Sequence, residues 1–331
     1  MKARIAVVGA TGMVGRTMLE VLHQRGVPVS QVVAAASPTS AGTLMAYGGD
    51  QLTVLSAEDL DFAKLDLALF SAGSEVSRRL APVAAAAGCL VVDNASLFRL
   101  EPDVPLVVPE VNPEALDPRP ARGIVANPNC STIQLTLALK PLADAFGLEQ
   151  VRVATYQAIS GAGRVPSEQL IADLRTVLDG NTVSADRLAM NVIPMIGSVD
   201  ADGHSTEELK IVRETRRILS LASLPITATA VRVPVLRGHS EAVWLRTQAP
   251  VTPAEARAIL AGAPGVTVWA DPAGPTPADL AAAEDGALVG RIRGDSDDPR
   301  GLALWVVSDN LRKGAASNAV QIAEILVKSY L

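Results

Sequence analysis

The stretch Gly9-Ala-Thr-Gly12-Met-Val-Gly15 decides the fold, because it follows the apolar run Arg4–Val8 and opens the amphipathic pattern Met13–Arg25. A strand, a glycine-rich turn and a helix in this order begin a doubly wound parallel sheet. Glycines at such a turn let backbone N–H groups and the positive end of a helix dipole approach a pyrophosphate. The spacing predicts a dinucleotide-binding turn, although glycine-rich turns also occur for packing reasons.

Outward from this turn, apolar runs rich in Val and Ile alternate with helical patterns, which is typical of βαβ units. The predicted strands are Arg4–Val8, Gln31–Ala35, Leu67–Ser71, Leu90–Asp93 and Ile124–Ala126. Two predicted helices, Met13–Arg25 and Glu75–Ala87, end near Gly26 and Gly88, as helices often do. The first part of the chain is therefore predicted to form a Rossmann-type, doubly wound parallel sheet.

After about residue 128 the pattern changes to longer β-rich stretches, namely Val151–Ile159, Ile226–Val235 and Glu241–Thr247. We expect an α/β fold in which residues 1–128 form the first domain and residues 129–311 form an α+β domain with a mixed sheet. The amphipathic segment Lys313–Tyr330 predicts a last helix, and either domain is open as its packing partner at this point. The Pro- and Ala-rich stretch Asp271–Ala283 predicts a surface loop.

Composition excludes several classes of partner. The 331 residues are 49% hydrophobic and carry a net charge of −6 without a basic block, so neither nucleic acid nor an anionic membrane surface is an expected partner. The N-terminus lacks a signal-peptide core, and the two cysteines, Cys89 and Cys130, do not suggest a disulfide framework. We expect a cytoplasmic protein with reduced thiols and no bound metal.

The second chemical signal is Asn127-Pro-Asn-Cys130-Ser-Thr132, which lies between a predicted strand and a strong helical pattern. A cysteine at a helix N-terminus is favoured as a thiolate, and the free N–H groups there can hold an oxyanion. Asn129 suits the N-cap position. Cys130 has polar neighbours, whereas Cys89 precedes Leu90-Val-Val and is interpreted as a buried structural residue.

A reaction with a thiolate nucleophile needs a general acid or base. The candidates are the three histidines of the chain. His23 fits a solvated helix position and His204 a turn, whereas His239 follows Pro234 and Gly238, which are expected to lift it into a loop. Arg232 borders a β-run with a buried body and needs an anionic partner. An acidic substrate and a structural salt bridge are both open at this point.

The cofactor signal is incomplete. NAD-specific turns place an Asp or Glu about 20 residues on, to hold the ribose hydroxyls. Here that position falls in Ala34-Ala-Ala-Ser37, which contains no acid. The absence of this carboxylate favours NADP over NAD, although the loop supplies no obvious cation for a 2′-phosphate.

Four ordered motifs carry a family resemblance: G-A-T-G-M-V-G, N-P-N-C-S-T, T-Y-Q-A-I-S-G-A-G and R-V-P-V-L-R-G-H-S. With these motifs the chain resembles the aspartate-semialdehyde dehydrogenase family essentially from end to end. The resemblance implies NADPH-dependent reductive dephosphorylation of β-aspartyl phosphate through a cysteine thioester, in the synthesis of lysine, threonine, methionine and diaminopimelate. It also implies that the second domain, residues 129–311, is catalytic and dimerising, and that residues 312–331 pack back on the first domain. The family is homodimeric or homotetrameric, and the same is expected of this protein.

The resemblance also implies roles for single residues. Cys130 is the nucleophile, His239 the acid/base, and Gln157 and Arg232 position the substrate and its α-carboxylate. Arg99 corresponds to a phosphate-binding arginine, with an ordinary surface arginine as the alternative. The residues implied to contact the cofactor are Gly9, Thr11, Gly12, Met13, Val14, Gly15, Ser37, Thr39, Ser40, Ser160, Gly161 and Asn310.

Glu208 and Lys210 match positions that resemble contacts of the family with the substrate amine and phosphate. A structural interpretation competes with this one. Ser205 and Glu208 have the spacing of a helix capping box, and Lys210 has helical spacing to Glu207. Against it, Glu208 shares a predicted helix face with the apolar residue Ile211.

The chain departs from the family at Thr39 and Thr43, where Arg and Lys are common and face the 2′-phosphate. Loss of a charge-assisted hydrogen bond costs about 1.5–3 kcal/mol, so NADP preference is expected to weaken or to rest on another residue, and NAD is possible. Ala95 stands where a Ser is common. Two other hypotheses remain: N-acetyl-γ-glutamyl-phosphate reductase, whose motif typically reads N-P-G-C, and a non-catalytic relative that binds a nucleotide or a protein.

Overall fold

The structure is a computed structural model that describes residues 3–283 and 285–331. The chain divides into two compact units, one comprising the chain up to Asn129 together with Ala315–Leu331, and the other Cys130–Gly314. Each unit has its own six-stranded sheet, parallel in the first and mixed in the second. The prediction of a Rossmann-type domain followed by an α+β domain is confirmed. Among the described residues, no helix is both long and apolar enough to span a bilayer.

The strands and helices have the following bounds. The strands are β1 Ile5–Val8, β2 Val32–Ala36, β3 Leu44–Tyr47, β4 Asp50–Thr53, β5 Leu55–Ser56, β6 Leu67–Phe70, β7 Leu90–Asp93, β8 Ile124–Ala126, β9 Leu148–Gln157, β10 Ile226–Arg232, β11 His239–Thr247, β12 Val266–Val268, β13 Ala287–Gly294 and β14 Gly301–Ser308. The helices are α1 Met13–Gln24, α2 Ser74–Ala86, α3 Cys130–Phe146, α4 Arg164–Leu178, α5 Thr206–Ile218, α6 Pro253–Ala261 and α7 Ser317–Tyr330.

The first unit is built on a parallel sheet in the order β5-β2-β1-β6-β7-β8. Its central strands are buried on both faces, as expected for a parallel sheet with helices on each side. All five predicted strands of this sheet are present within one residue at each end. The small β3–β4 hairpin, with Gly48 and Gly49 in its turn, has no counterpart among the predictions, because its second strand Asp50–Thr53 is mostly polar.

The last helix begins later than predicted. Residues Arg312–Ala316 form a short π-helical segment, and α7 then runs from Ser317 to Tyr330. Within the first unit, the buried face of α7 joins the core that contains β1 and β6. Asn318 in its first turn donates from Nδ2 to the Val107 carbonyl at 3.0 Å. Helix α7 is therefore part of the first unit.

The second unit contains a sheet in the order β10-β9-β11-β14-β13-β12. Strands β9 and β10 are parallel, whereas β11 is antiparallel to both β9 and β14. Helix α3 packs on one face of this sheet, and the apolar residues of α3 are almost fully buried there. On the opposite face, Tyr156 and Trp244 are 37% and 49% exposed. One face of the mixed sheet is therefore open in the single chain.

Two sequence-based expectations for the second unit were wrong in detail. His239 does not lie in a loop: it is the first residue of β11 and is completely buried, because the turn at Gly238 ends one residue earlier. The stretch Asp271–Ala283, predicted as a loop, contains a short 3₁₀ helix at Pro277–Ala283.

Candidate active site

The topology of the mixed sheet brings three of the predicted site residues to one end. Gln157 and Arg232 are the last residues of the parallel strands β9 and β10, and they pair directly in register. His239 begins β11, which runs antiparallel to β9, so it lies at the same end. The site is thus positioned by strand ends, which hold side chains more rigidly than loops do.

His239 is held in one orientation by the backbone. Its Nδ1 atom accepts a hydrogen bond from the Ala158 N–H at 3.0 Å, so the neutral imidazole carries its proton on Nε2. Burial, and secondarily the charge of Arg232, lower the pKa of His239 to about 3. Its Nε2 atom is buried and has no hydrogen-bond partner among the described residues. At neutral pH this side chain is therefore an uncharged N–H donor.

Arg232 lies beside His239. Its Nη1 atom donates to the Ala158 carbonyl at 2.7 Å. A Cβ atom placed on Gly161 would lie 3.1 Å from Arg232 Nη1 and 3.3 Å from His239 Nε2, so both groups approach one point at that glycine. Burial lowers the pKa of the Arg232 guanidinium, whereas the charges of Cys130 and Glu207 act in the opposite direction. The guanidinium remains a cation in a half-buried site, and it can bind a carboxylate there.

Cys130 is the first residue of α3, as predicted, and it is partly exposed. A Cβ atom on Gly314 would lie 2.9 Å from the Cys130 Cβ, so the backbone of the π-helical segment passes directly over the cysteine. The helix N-terminus favours the thiolate form of such a residue. Cys89 differs from Cys130 in its environment: it is buried, and this burial raises the pKa of its thiol to about 12. Its interpretation as a structural residue agrees with this environment.

A hydrogen-bonded chain links Gln157 to α5. Gln157 donates from Nε2 to Glu207 Oε1 at 3.0 Å, and Lys210 Nζ contacts the second oxygen of Glu207 at 3.1 Å. Gln157 also accepts from the Thr155 hydroxyl at 3.2 Å. Because Gln157 and Glu207 are both buried, the pair presents a carboxylate to the site without exposing it widely to water.

Glu208, which the sequence suggested, is engaged elsewhere. It completes the capping box of α5 with Ser205: its N–H donates to Ser205 Oγ and its Oε2 accepts from the Ser205 N–H at 2.7 Å. Its other oxygen accepts from the Ala230 N–H at 3.0 Å. In this structure Glu208 is therefore a helix-capping residue. Glu207 is the acidic residue of α5 that contacts Gln157, and the capping-box spacing was the signal that could have separated the two.

Ser160 and Asn310 form a further junction in the second unit. Asn310 donates from Nδ2 to Ser160 Oγ at 2.9 Å, and its Oδ1 accepts from the Gly238 N–H at 2.9 Å. Gly238 directly precedes His239, so Asn310 ties the loop after β9 to the start of β11. Asn310 and Ser160 are both buried, whereas Gly161 is exposed.

In the first unit, the glycine-rich turn has the geometry that a pyrophosphate needs. Gly9 has φ +93°, and a Cβ on it would lie 2.4 Å from the Ser71 carbonyl oxygen. A Cβ on Gly15 would lie 2.2 Å from the Gly9 oxygen. Gly12 is exposed and precedes α1 without a side-chain cap. Thr11, Met13 and Val14 are partly exposed around it. The turn closes only with glycine and leaves the helix N-terminus accessible, so these residues fit the phosphates of a dinucleotide.

The loop after β2 presents hydroxyl groups. Ser37 Oγ lies 2.8 Å from Thr39 Oγ1 and 3.3 Å from Ser40 Oγ, and Thr43 donates to the Ser40 carbonyl at 2.8 Å. Ser37, Thr39 and Thr43 are exposed. This cluster follows β2, the strand next to β1, at the edge where a doubly wound sheet binds the ribose of a dinucleotide.

Arg99 is not an ordinary surface residue. It is 8% exposed, and its Nη2 atom donates to the Asn94 carbonyl at 2.7 Å, directly after β7. The guanidinium is therefore held against the carboxyl end of the parallel sheet, where ligands of such sheets bind.

A dinucleotide-binding sheet and a second unit with a cysteine, an imidazole and an arginine define the class of thiol-dependent nicotinamide dehydrogenases. Residues 4–118 match the family described as semialdehyde dehydrogenase, NAD binding domain, and residues 139–313 match semialdehyde dehydrogenase, dimerisation domain. The chain belongs to the semialdehyde dehydrogenase family.

Relatives and solved structures agree with this assignment. An aspartate-semialdehyde dehydrogenase of Legionella pneumophila is 48% identical over 99% of this chain and 96% of its own length. Aspartate semialdehyde dehydrogenase II of Vibrio cholerae, complexed with ASA, has a TM-score of 0.96 and 44% identity over 100% of both chains. The enzyme of Candida albicans, with NADP, has a TM-score of 0.78 and 27% identity over 98% of both chains.

Proposed function

We propose that the chain is an aspartate-semialdehyde dehydrogenase that reduces β-aspartyl phosphate to aspartate semialdehyde with NADPH. The observation that carries this proposal is the meeting of Arg232 Nη1 and neutral His239 Nε2 near Gly161, in a unit whose longest helix begins with Cys130. The chain is 44–48% identical to aspartate-semialdehyde dehydrogenases over 98–99% of its length, which supports this substrate over the N-acetyl-γ-glutamyl-phosphate alternative.

Cys130 is the nucleophile. Its thiolate, favoured at the N-terminus of α3, forms a C–S bond to the acyl carbon as the C–O bond to phosphate breaks. The product is a thioester on Cys130 and free phosphate. Nicotinamide, when bound, supplies the hydride that converts this thioester to the aldehyde level. Cys130 leaves the carbon as a thiolate in the last step and is ready for the next turnover.

His239 donates a hydrogen bond to the reacting carbonyl oxygen. Since Nδ1 is occupied by the Ala158 N–H, the proton on Nε2 is the one available to the substrate. Negative charge develops on this oxygen when the thiolate attacks, and a preorganised donor in a buried site stabilises it. His239 therefore acts as an N–H donor to the oxyanion, and the helix N-terminus and Arg232 favour the thiolate.

The two charged groups of the substrate have complementary partners. Arg232 binds the α-carboxylate through parallel N–H donors. Glu207 binds the α-ammonium group, because its carboxylate contacts Gln157 at the end of β9, whereas Glu208 turns back to the Ser205 and Ala230 N–H groups. Gln157 holds Glu207 in place through its amide. Lys210, which contacts Glu207, and Arg99 serve the phosphate group.

The glycine-rich turn, with Thr11, Met13 and Val14, holds the pyrophosphate of NADP, and Ser160, Gly161 and Asn310 serve the nicotinamide side. The hydroxyl cluster of Ser37, Thr39 and Ser40 takes the 2′-position of the ribose. Hydroxyls accept either a 2′-hydroxyl or a 2′-phosphate as a hydrogen-bond partner. The chain therefore uses NADP and also accepts NAD.

The open face of the mixed sheet supports a homodimer. Tyr156 and Trp305 pack with ring centroids 5.4 Å apart on this face, next to the half-exposed Trp244. An aromatic patch on a sheet face fits the core of a two-fold interface. The matched dimerisation domain covers these residues. We place the homodimer in the cytoplasm, where the thiol of Cys130 stays reduced.

The test is an assay of the purified protein with aspartate semialdehyde, NADP and phosphate. We expect phosphate-dependent formation of NADPH that disappears in Cys130→Ala, while Cys89→Ala serves as the matched control and retains activity. Reduction that does not require phosphate, or equal activity of Cys130→Ala, would contradict the proposal. Comparison with N-acetylglutamate semialdehyde separates the two substrates.

A further inference from the structure

A second acidic group lies directly beneath the proposed active site. Glu241 follows His239 by two residues on β11, so both side chains point to the same face of the sheet, about 6.6 Å apart along the strand. Glu241 is fully buried, between Thr155 of β9 and Val306 of β14 in the register of the sheet. None of the proposed catalytic steps uses it.

The helix above the sheet carries a matching polar residue. Gln134 lies one turn after Cys130 on α3 and is 1% exposed. Its amide acts on the pKa of the Glu241 carboxyl, yet neither side chain has a hydrogen-bond partner with good geometry among the described residues. Gln134 follows Cys130 by four residues and shares its face of α3, just as Glu241 follows His239 by two residues and shares its face of β11.

Electrostatics at this second layer favour an uncharged carboxyl. Burial raises the pKa of Glu241 well above its usual value, against a smaller lowering by Gln134. The facing residues of β9 and β14 are Thr155 and Val306, which do not titrate at these pH values. The titratable residue that shares this face of β11 with Glu241 is His239. An ionised Glu241 would favour the imidazolium form of His239 by roughly 50- to 100-fold, for an effective dielectric constant of about 20.

We propose that Glu241 is a positioning residue that, as a neutral carboxylic acid, pairs with Gln134, seats the first turn of α3 over β11 and places no charge beneath His239. The proposal rests on the proposed function in one respect, since Cys130 and His239 are the pair that it positions. A carboxylic acid can donate to the Gln134 amide oxygen and accept from its N–H groups, so the two side chains are complementary without a charge in this buried layer.

The charge state is tested by urea unfolding of wild type and Glu241→Gln between pH 5 and 8. In the unfolded chain the carboxyl ionises near pH 4.5, and in the folded chain it stays protonated. The stability that this group contributes is present below pH 4.5 and is lost as the pH rises toward the folded-state pKa. We expect the unfolding constant of wild type, relative to the variant, to rise about tenfold per pH unit in that window.

The matched control is Glu168→Gln on α4, which makes the same chemical change at an exposed residue paired with Arg164. Its ratio to wild type is expected to stay constant over this pH range. A constant ratio for Glu241→Gln as well would overturn the neutral acid. Should Glu241→Gln fail to fold, carboxyl ¹³C resonances of wild type labelled on glutamate decide the charge: a glutamate that stays protonated at pH 7 supports the proposal, and complete ionisation overturns it.

The positioning role is tested by the rate at which iodoacetamide alkylates Cys130, measured against pH. We expect Glu241→Gln to retain the wild-type pH profile and a rate within about threefold, because an amide also pairs with Gln134. Gln134→Leu removes the pair, and we expect at least a tenfold slower alkylation and a tenfold lower kcat with an unchanged KM. An unchanged alkylation rate in Gln134→Leu overturns the role. Alkylation needs no substrate, so it remains informative if the enzyme fails to reduce NADP with aspartate semialdehyde.

Discussion

The protonation of His239 is the property of the site that most directly tests the proposed mechanism. Burial and Arg232 lower its pKa to about 3, so at pH 7 roughly one imidazole in ten thousand carries a second proton. Lowering the pH from 7.5 to 5 is the perturbation. In the unfolded chain the same imidazole takes up its proton near pH 6.5, and the stability that neutral His239 contributes is therefore full above pH 6.5 and lost as the pH falls toward 3. Between pH 7.5 and pH 5 this loss is about 2 kcal/mol.

The assay is ¹⁵N NMR of the imidazole groups. His239→Gln assigns the His239 signal, and the exposed His23 and His204 provide internal references in the same spectrum. We expect His239 to keep the shifts of a neutral imidazole with its proton on Nε2 throughout this range. Urea unfolding at pH 7.5 and pH 5 then measures the unfolding free energies of wild type and His239→Gln. We expect the free energy of wild type, relative to that of the variant, to fall by about 2 kcal/mol at the lower pH. A His239 signal that titrates near pH 6.5, or that shows the proton on Nδ1, would refute the assignment of His239 as a neutral N–H donor.

Three further results are expected. Arg232→Lys removes parallel donors to a carboxylate, and steady-state kinetics should show KM for aspartate semialdehyde raised roughly 10- to 100-fold, with the KM for phosphate as the comparison. Thr39→Arg places a cation in the hydroxyl cluster and should lower the Kd of NADP at least tenfold in a fluorescence titration while leaving that of NAD unchanged; equal effects on both would contradict the assignment of this loop. Gly15→Ala brings a Cβ within 2.2 Å of the Gly9 oxygen and should weaken NADP binding at least tenfold in the same titration, whereas unaltered binding would show that the turn does not hold the cofactor.

Sequence reasoning succeeded where a single local pattern determines the structure. The strands of the parallel sheet are continuous apolar runs between glycines, and the structure has them within one residue of the predicted bounds. The mixed sheet was harder, because β13 and β14 contain arginine, tryptophan and glycine on an open face. Their pairing with β11 depends on contacts distant in sequence, which hydrophobic periodicity does not report.

The residues of the candidate site also differ in how far a local sequence pattern predicts their positions. Cys130 and Arg232 could be placed from their motifs, since each stands at the end of a recognisable element. The choice between Glu207 and Glu208 could not be made from helix periodicity, because both lie in the first turn of α5, where the capping box determines which carboxylate turns back. The burial of His239 also escaped prediction, since a glycine before a histidine does not tell whether the next strand has already begun.

The capping residue Glu208 also occupies a backbone N–H group at the edge of the mixed sheet. Strand β10 is an edge of the mixed sheet, and edge strands with unpaired N–H groups recruit strands from other molecules. Glu208 Oε1 accepts from the Ala230 N–H, and the Arg232 backbone bonds in both directions with Ile193. The first turn of α5 and the segment around Ile193 thus occupy backbone groups of this edge strand that would otherwise be open to intermolecular β-pairing.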